Sequence, residues 1–330
     1  MSEIKSPFTK AQLLPQEETL EIPKEKGELF IGIPKETYFQ EKRICLTPDA
    51  VAAIVANDHR ILIENGAGEK AGFTDADYNE AGAELTKDIN KVFACPIILK
   101  VEPPSIDEIA LINPKTILIT ALQLKTRTKE YFEALAKKKI TALAFEFIKD
   151  EAHSYPAVKA LSEIAGTASV LIASELMANN EISNGMLFGN ISGVPPVEVV
   201  IIGAGTVGEF ATRSALGLGA NVKVFDSSLT RLRNLQIKAG RPLFTSTLQP
   251  KYLMKALRRC DVAIGALKGS NRSPVVVTET MVEKMKKGSV IIDVSVDMGG
   301  CFETTEVTSH DNPTRIKHGV IHYGVPNIPA

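Results

Sequence analysis

One stretch constrains this chain more than any other: Val199-Val200-Ile201-Ile202-Gly203-Ala204-Gly205-Thr206-Val207-Gly208. The β-branched run reads as a buried strand, and the G-x-G-x-x-G after it requires a tight turn that opens a helix. Gly203 permits the turn, Gly205 lets the backbone approach a pyrophosphate, and Gly208 allows the helix to pack closely on the strand. The N–H groups that start this helix, at Thr206 and Val207, and the helix macrodipole favour an anion there. Asp226 closes the next apolar run, at about the ~20-residue spacing expected of the acid that accepts hydrogen bonds from ribose hydroxyls. An acid at that place repels a 2′-phosphate, so the segment predicts NAD rather than NADP as cofactor.

The rest of the chain alternates in the same way. Leu29–Ile33, Arg60–Glu64, Pro96–Val101, Thr116–Thr120 and Thr141–Phe145 read as strands. Helices are expected between them, from Pro48 to about Asn57, from Thr74 through Glu84, at 106–112 and at 129–138. Thr47-Pro48-Asp49 is a helix start, with a hydroxyl cap, proline in the first turn and an acid near the positive end. From Pro156 to about Asn179 the pattern becomes one long helical stretch. A second rhythm then runs through the strands at Val199, Asn221, Val262 and Val290. The predicted fold class is α/β: two Rossmann-like doubly wound domains, the second binding NAD and joined through the long helix. The boundaries expected are an extension at 1–27, a substrate domain at 28–155 and the NAD domain, with its linking helix, at 156–330.

Composition narrows the function. At 330 residues there is room for about two domains. A formal net charge of −1 lacks the basic excess of a nucleic-acid binder. No apolar run in the sequence approaches the ~18–20 residues of a membrane span, and the polar stretch 1–26 has no secretory core. Cys45, Cys95, Cys260 and Cys301 lie far apart without a C-x-x-C pair, which argues against a zinc site or disulfide scaffold and fits a cytoplasmic protein. No metal-ligand spacing and no Ser–His–Asp order stands out. His322 alone among the histidines lies beside a strand leading to a candidate site. Ala266 and Leu267 follow a strand where a loop can lie along the cofactor, and Asp297 follows another, a candidate reactive carboxylate near the nicotinamide.

Several further motifs stand in order along the chain: Gly32-Ile33-Pro34-Lys35-Glu36, then Arg43 and Leu46-Thr47-Pro48, then Glu64-Asn65-Gly66-Ala67-Gly68, Ile98-Leu99-Lys100-Val101, Leu161–Gly166 and Gly193-Val194-Pro195-Pro196. They resemble the motifs of alanine dehydrogenases and of the NAD-binding alpha subunit of proton-translocating transhydrogenase. The glycine turn and Asp297-Met298-Gly299-Gly300-Cys301-Phe302-Glu303 complete a collinear series over about residues 28–330. The aspartate at 297 and the run after it resemble the alanine dehydrogenase branch. That resemblance implies reversible NAD-dependent deamination of L-alanine to pyruvate and ammonium, by a homo-oligomer that in the family is often a hexamer. It also implies that Arg43 grips the substrate carboxylate, that Ser162 helps hold the cofactor, that Asp297 handles the amine or a proton, and that Asn327 faces the same site. A small amino or keto acid is then the partner.

Two positions depart from the family pattern. A second lysine is usual two residues after Lys100, where this chain has Glu102. A histidine is usual where this chain has Gln123. Glutamine can donate a hydrogen bond but cannot titrate near neutral pH. An ionised Glu102 would repel a carboxylate by ~4 kcal/mol at 4 Å and an effective dielectric near 20. Lys100 and Glu102 are expected on one face of a strand. These departures leave open a related oxidoreductase for another amino or imino acid, or a weakly active NAD-binding protein. The family also returns to its first domain through further helices after the Asn327 motif, a return this sequence is expected to lack.

Overall fold

A computed structural model of the chain describes residues 27–124, 126–179, 181–269 and 272–330; residues 1–26 of the expected extension lie outside the described residues. The chain divides into two compact units. One holds the described residues up to Lys35, Ile44–Ile119 and Thr128–Ala142; the other holds Glu36–Arg43, Thr120–Arg127 and Leu143–Ala330.

The first unit is built on a six-stranded sheet of β1 (Phe30–Ile33), β2 (Arg60–Glu64), β3 (Glu84–Thr86), β4 (Ile97–Leu99), β5 (Ile117–Thr120) and β6 (Thr141–Ala144). Its order is β3-β2-β1-β4-β5-β6, the doubly wound order in which the chain reverses direction across the sheet between β1 and β4. The pairs β1–β2, β1–β4, β2–β3 and β4–β5 are parallel. The helices start where the sequence offers caps. The Thr47 hydroxyl accepts from the Ala50 N–H ahead of α1 (Pro48–Val55), and Thr74 with Asp77 forms a capping box ahead of α2 (Asp75–Glu80). Helix α2 is shorter than expected because Gly82, at φ +89°, ends it and the chain enters β3. The strand expected at Pro96–Val101 stops at Leu99, so Lys100 and Glu102 lie in the bend beyond β4 and do not share a strand face.

The second unit carries β7 (Glu198–Ile202), β8 (Asn221–Phe225), β9 (Phe244–Ser246), β10 (Val262–Gly265), β11 (Val290–Asp293), β12 (Thr314–Lys317) and β13 (Val320–Tyr323). They run in the order β12-β13-β11-β10-β7-β8-β9, with only β12 antiparallel to its neighbour. Strands β10, β11 and β13 are buried along their whole length, as a parallel sheet covered on both faces requires. Direction reverses between β7 and β10, so the glycine turn after β7 and the Ala266 loop after β10 share the crevice at the switch point. Two apolar clusters fill the opposite faces of this sheet: Val199, Ile201, Ile264 and Ile292 point into one, Val200, Ile202, Ala263 and Ile291 into the other.

Helix α6 (Pro156–Ala178) is 23 residues long and reaches a mean hydropathy of 1.3. By length and composition it could cross a membrane, which corrects the expectation that no segment is apolar and long enough. Its place in the unit accounts for that apolarity. Ala165, Gly166, Ser169, Val170, Ala173 and Met177 form a buried face, and α6 packs along α7 (Thr206–Gly217). Gly166 makes the approach possible, since a Cβ there would stand 2.4 Å from the Val207 carbonyl oxygen and 2.9 Å from the Phe210 Cβ.

Gly166→Ala therefore pits a helix-propensity gain of about 1 kcal/mol against overpacking that typically costs about 1–3 kcal/mol. The contact is with backbone, which has little room to yield, so thermal unfolding followed by circular dichroism should show a midpoint several degrees lower. A midpoint at or above that of the parent would rule out the close approach.

Candidate active site

The glycine turn behaves as its sequence dictates. Gly203 sits at φ +120° and donates its N–H to the Phe225 carbonyl at 2.7 Å. A Cβ on Gly203 would stand 2.4 Å from the Ala266 oxygen, and one on Gly208 would stand 1.8 Å from the Gly203 oxygen. No side chain fits at either place. Around Gly205, by contrast, a Cβ would meet nothing within 4 Å. Gly205 is also the N-cap of α7 and supplies no side-chain cap to that helix end. The Thr206 and Val207 end of the helix therefore opens on space suited to a phosphate.

Asp226, at the end of β8, is 1% exposed. One of its oxygens accepts the Ala204 N–H at 2.7 Å and the other accepts the Ser228 N–H at 2.7 Å. Arg231 stands 3.9 Å from the first. The carboxylate thus ties the glycine turn to the neighbouring strand end, a structural task beyond the ribose contact read from its spacing. Each oxygen has capacity for a second donor. Ala266 donates its N–H to the Ile202 carbonyl at 2.8 Å, which closes the loop against β7. The Leu267 side chain lies in the core, and its carbonyl accepts the Ser273 hydroxyl at 2.9 Å. The half-buried Ser162 hydroxyl donates to the Val158 carbonyl at 2.7 Å along α6.

Asp297 lies on a short 3-10 turn, Val296–Met298, just after β11. The turn is organised from below by Asp293, a residue sequence reading passed over. Asp293 is 1% exposed and accepts from Ser295 N and Oγ, Cys301 N and Phe302 N at 2.8–3.3 Å. Burial pushes the Asp293 carboxyl up despite these bonds. The Asp297 side chain reaches solvent, yet the protein mass around it raises its carboxyl above the ordinary value. The charge of Asp293 adds to that shift, while the Met298 N–H and the charge of Lys268 oppose it.

Arg43 and Asn327, nearly the length of the chain apart, come together on Glu41. The Arg43 backbone N–H and Nε donate to one Glu41 oxygen at 2.9 and 2.8 Å, and Nη2 donates to the other at 2.6 Å. Asn327 Nδ2 donates to that second oxygen at 3.3 Å. Burial opposes ionisation of Glu41, but the hydrogen bonds and charge of Arg43 outweigh it and hold the carboxyl below its ordinary value. Sequence reading missed Glu41. The signal was its place two residues before Arg43, where an extended chain puts both side chains on one side.

Gln123 sits in a turn at φ +48°. Its N–H donates to Glu146 at 2.9 Å, and its side-chain oxygen accepts from Arg127 Nη2 at 2.8 Å. Lys100 and Glu102 belong to the first unit, where both are buried. His322 is buried as well. Its Nδ1 donates to the Val320 carbonyl at 2.9 Å, which leaves Nε2 to accept the Thr304 hydroxyl at 2.7 Å. This neutral histidine braces β13. Among the described residues no cluster of histidine, cysteine and acidic side chains is arranged to hold a metal ion.

An open α/β sheet with a tight glycine turn at its switch point, an acid at the next strand end and an aspartate on a neighbouring loop defines a dinucleotide-binding enzyme of the doubly wound class. The sequence model described as the alanine dehydrogenase/PNT N-terminal domain matches residues 32–165, and that of the C-terminal domain matches 169–330. The chain belongs to the alanine dehydrogenase/PNT family. It is 39% identical over 302 residues to alanine dehydrogenase 2 of Staphylococcus aureus strain USA300, covering 91% of this chain and 81% of that protein. Among solved structures, an L-alanine dehydrogenase superposes with a TM-score of 0.86 at 38% identity, covering 91% of this chain and 83% of the other. The fold of a transhydrogenase from Sinorhizobium meliloti also superposes, with a TM-score of 0.80 at 24% identity over 91% of this chain and 87% of the other.

Burial holds the His322 imidazole below its ordinary value, with the charges of Lys317 and His318 acting the same way against Glu306 and the Val320 carbonyl. The unfolded chain takes up this proton near pH 6.5 and the folded protein only at lower pH. Between those values the unfolded state binds more protons, so stability falls as pH falls. Urea unfolding at pH 7 and pH 5.5 should show a smaller loss for His322→Gln than for the parent. Equal losses would place the titrating group elsewhere.

Proposed function

We propose that this chain catalyses the reversible, NAD-dependent oxidative deamination of L-alanine to pyruvate and ammonium. The observation that carries this reading is the 39% identity with an alanine dehydrogenase across nine-tenths of the chain. The glycine turn, the Asp297 loop and the Arg43–Asn327 pairing support it. The residues present fit the cofactor, since the space beside Gly205 that a Cβ would enter is open and lies at a helix N-terminus. When bound, NAD supplies the ring that exchanges hydride with the substrate carbon.

The chain's own residues divide the remaining work. Gly203, Gly205, Thr206, Val207 and Gly208 hold the pyrophosphate, and Asp226 adds a ribose hydroxyl to the donors it already accepts. Ser162 and the Ala266–Leu267 loop flank the cofactor. Arg43 binds the substrate carboxylate with planar donors of permanent charge, and Asn327 orients the same molecule. Asp297, its proton affinity raised, holds or releases the proton that accompanies amine exchange. Lys100 and Gln123 supply hydrogen bonds to the keto acid, and Glu102 sets the local charge. In this reading residues 28–155 form the substrate domain and 156–330 the NAD domain. The active species is a homo-oligomer, a hexamer by family resemblance, in the cytoplasm.

One observation favours a second reading. Gln123 stands where the family places a titrating histidine, and its side-chain oxygen is engaged by Arg127. A chain without that acid–base group can bind NAD yet turn over slowly. NADH oxidation measured with ammonium and a panel of keto acids decides. Fast turnover with pyruvate supports the first reading, turnover only with another keto acid changes the substrate, and tight NADH binding without turnover supports the second.

Arg43→Ala removes a charged, paired donor, an interaction of about 1.5–3 kcal/mol. The pyruvate KM should rise about 10- to 100-fold while NADH affinity, followed by fluorescence titration, stays within about twofold. An unchanged KM would move the carboxylate pocket away from Arg43.

A further inference from the structure

We propose that Glu41 is a positioning residue for substrate recognition, holding Arg43 and Asn327 in one fixed relation through a single buried carboxylate. The inference rests on the substrate-binding role given to Arg43 above. Glu41 is 1% exposed and accepts four donors, three from Arg43 and one from Asn327. Its segment is also fastened one residue earlier. The Gln40 side-chain oxygen accepts the His310 N–H at 3.0 Å, and Gln40 Nε2 donates to Asp311 at 3.0 Å. The strap Glu36–Arg43 is thereby seated on the same unit that ends in Asn327.

The geometry sets how Arg43 can work. A guanidinium has five N–H donors in a rigid fork. Glu41 takes the Nε–Nη2 edge, so the plane of the guanidinium and the direction of its outer edge are set by this one carboxylate. The pair carries no net charge. Recognition then depends on direction more than on long-range attraction, and a ligand is selected by where its carboxylate sits relative to the group that Asn327 contacts. Without Glu41, Arg43 keeps its charge and loses its orientation. A positioning role and a competing role therefore predict opposite changes in substrate affinity.

The test compares the parent with Glu41→Gln, Glu41→Asp, Asn327→Ala and the double variant Glu41→Gln/Asn327→Ala. The pyruvate KM and kcat are measured at saturating NADH and ammonium, and NADH affinity is measured separately. Glu41→Gln should raise the pyruvate KM about tenfold or more, change kcat less, and leave NADH affinity within about twofold. Glu41→Asp keeps the charge but shortens the reach, and it should raise the KM as well. It serves where Glu41→Gln folds poorly. The double variant should fall well short of the product of the single effects, because both substitutions break one assembly. A KM that is unchanged or lower in both Glu41 variants, or effects that multiply, overturns the proposal. A lowered KM would mark Glu41 as a competitor for the guanidinium. If the parent turns over no keto acid, the proposed function fails on its own. The positioning role is then read from the thermal shift that pyruvate produces with NADH present. A shift in the parent that Glu41→Gln abolishes sustains the role, and a shift equal in both, or none in the parent, overturns it.

Discussion

The second unit depends on one close approach, that of Gly208 to the Gly203 carbonyl oxygen, where a single added carbon would stand 1.8 Å away. That contact lets α7 begin directly over the end of β7. The helix start then faces the crevice where the sheet reverses, between β7 and β10. The same tightness propagates outward. Gly203 leaves no room for a side chain against Ala266, so the β10 loop closes over the turn. Gly166 brings α6 against the first turn of α7 at Val207 and Phe210. One backbone geometry sets the strand, the helix, the flanking loop and the long helix behind them, and a helix N-terminus with open space at Gly205 is its by-product.

Legibility of the fold followed the physics of each element. Strands buried on both faces, such as β7, β10 and β11, announce themselves as apolar runs between turn residues. Helices α1, α6 and α7, and the helix Leu229–Ala239, carry caps, an initial proline or a clean period. The short strands β3 and β9, three residues each and partly exposed at or near the sheet edges, have too little apolar content to stand out. Their existence is decided by a neighbour's unpaired backbone. Of the hairpin β12–β13, a strand beside His322 was expected, and its partner β12 escaped for another reason. Val320–Tyr323 is buried throughout, yet β12 is polar and turns the chain antiparallel at the end of an otherwise parallel sheet.

The candidate site was legible where function constrains a local pattern and silent where it is assembled over distance. The glycine turn, Asp226 and Asp297 could be read because their spacing along the chain sets their geometry. Lys100 and Glu102 could not be placed by a strand's period, since β4 ends one residue before them. The union of Arg43 with Asn327 has no local signature at all. It exists because the strap after β1 packs with the second unit, a tertiary fact that no window of sequence contains.

Three buried carboxylates, Glu41, Asp226 and Asp293, share one design. Each is 1% exposed, each is met by backbone N–H groups among its donors, and each lies directly behind a group assigned to binding or chemistry: Arg43, the glycine turn and Asp297. Burying a carboxylate is costly unless hydrogen bonds replace the lost water, and Glu41 and Asp293 balance that cost differently. Glu41 has a full positive charge against it and is held below its ordinary value. Asp293 has only dipoles, and burial wins, so it is pushed up. The consequence reaches their neighbours. Arg43 is held edge-on by a carboxylate of opposite charge, while Asp297 stands beside a second carboxylate that makes its own proton harder to lose. The molecule thus tunes the groups assigned to chemistry from the layer beneath them, where backbone N–H groups of Ala204, Ser228, Ser295, Cys301, Phe302 and Arg43 supply donors set in place before a substrate arrives.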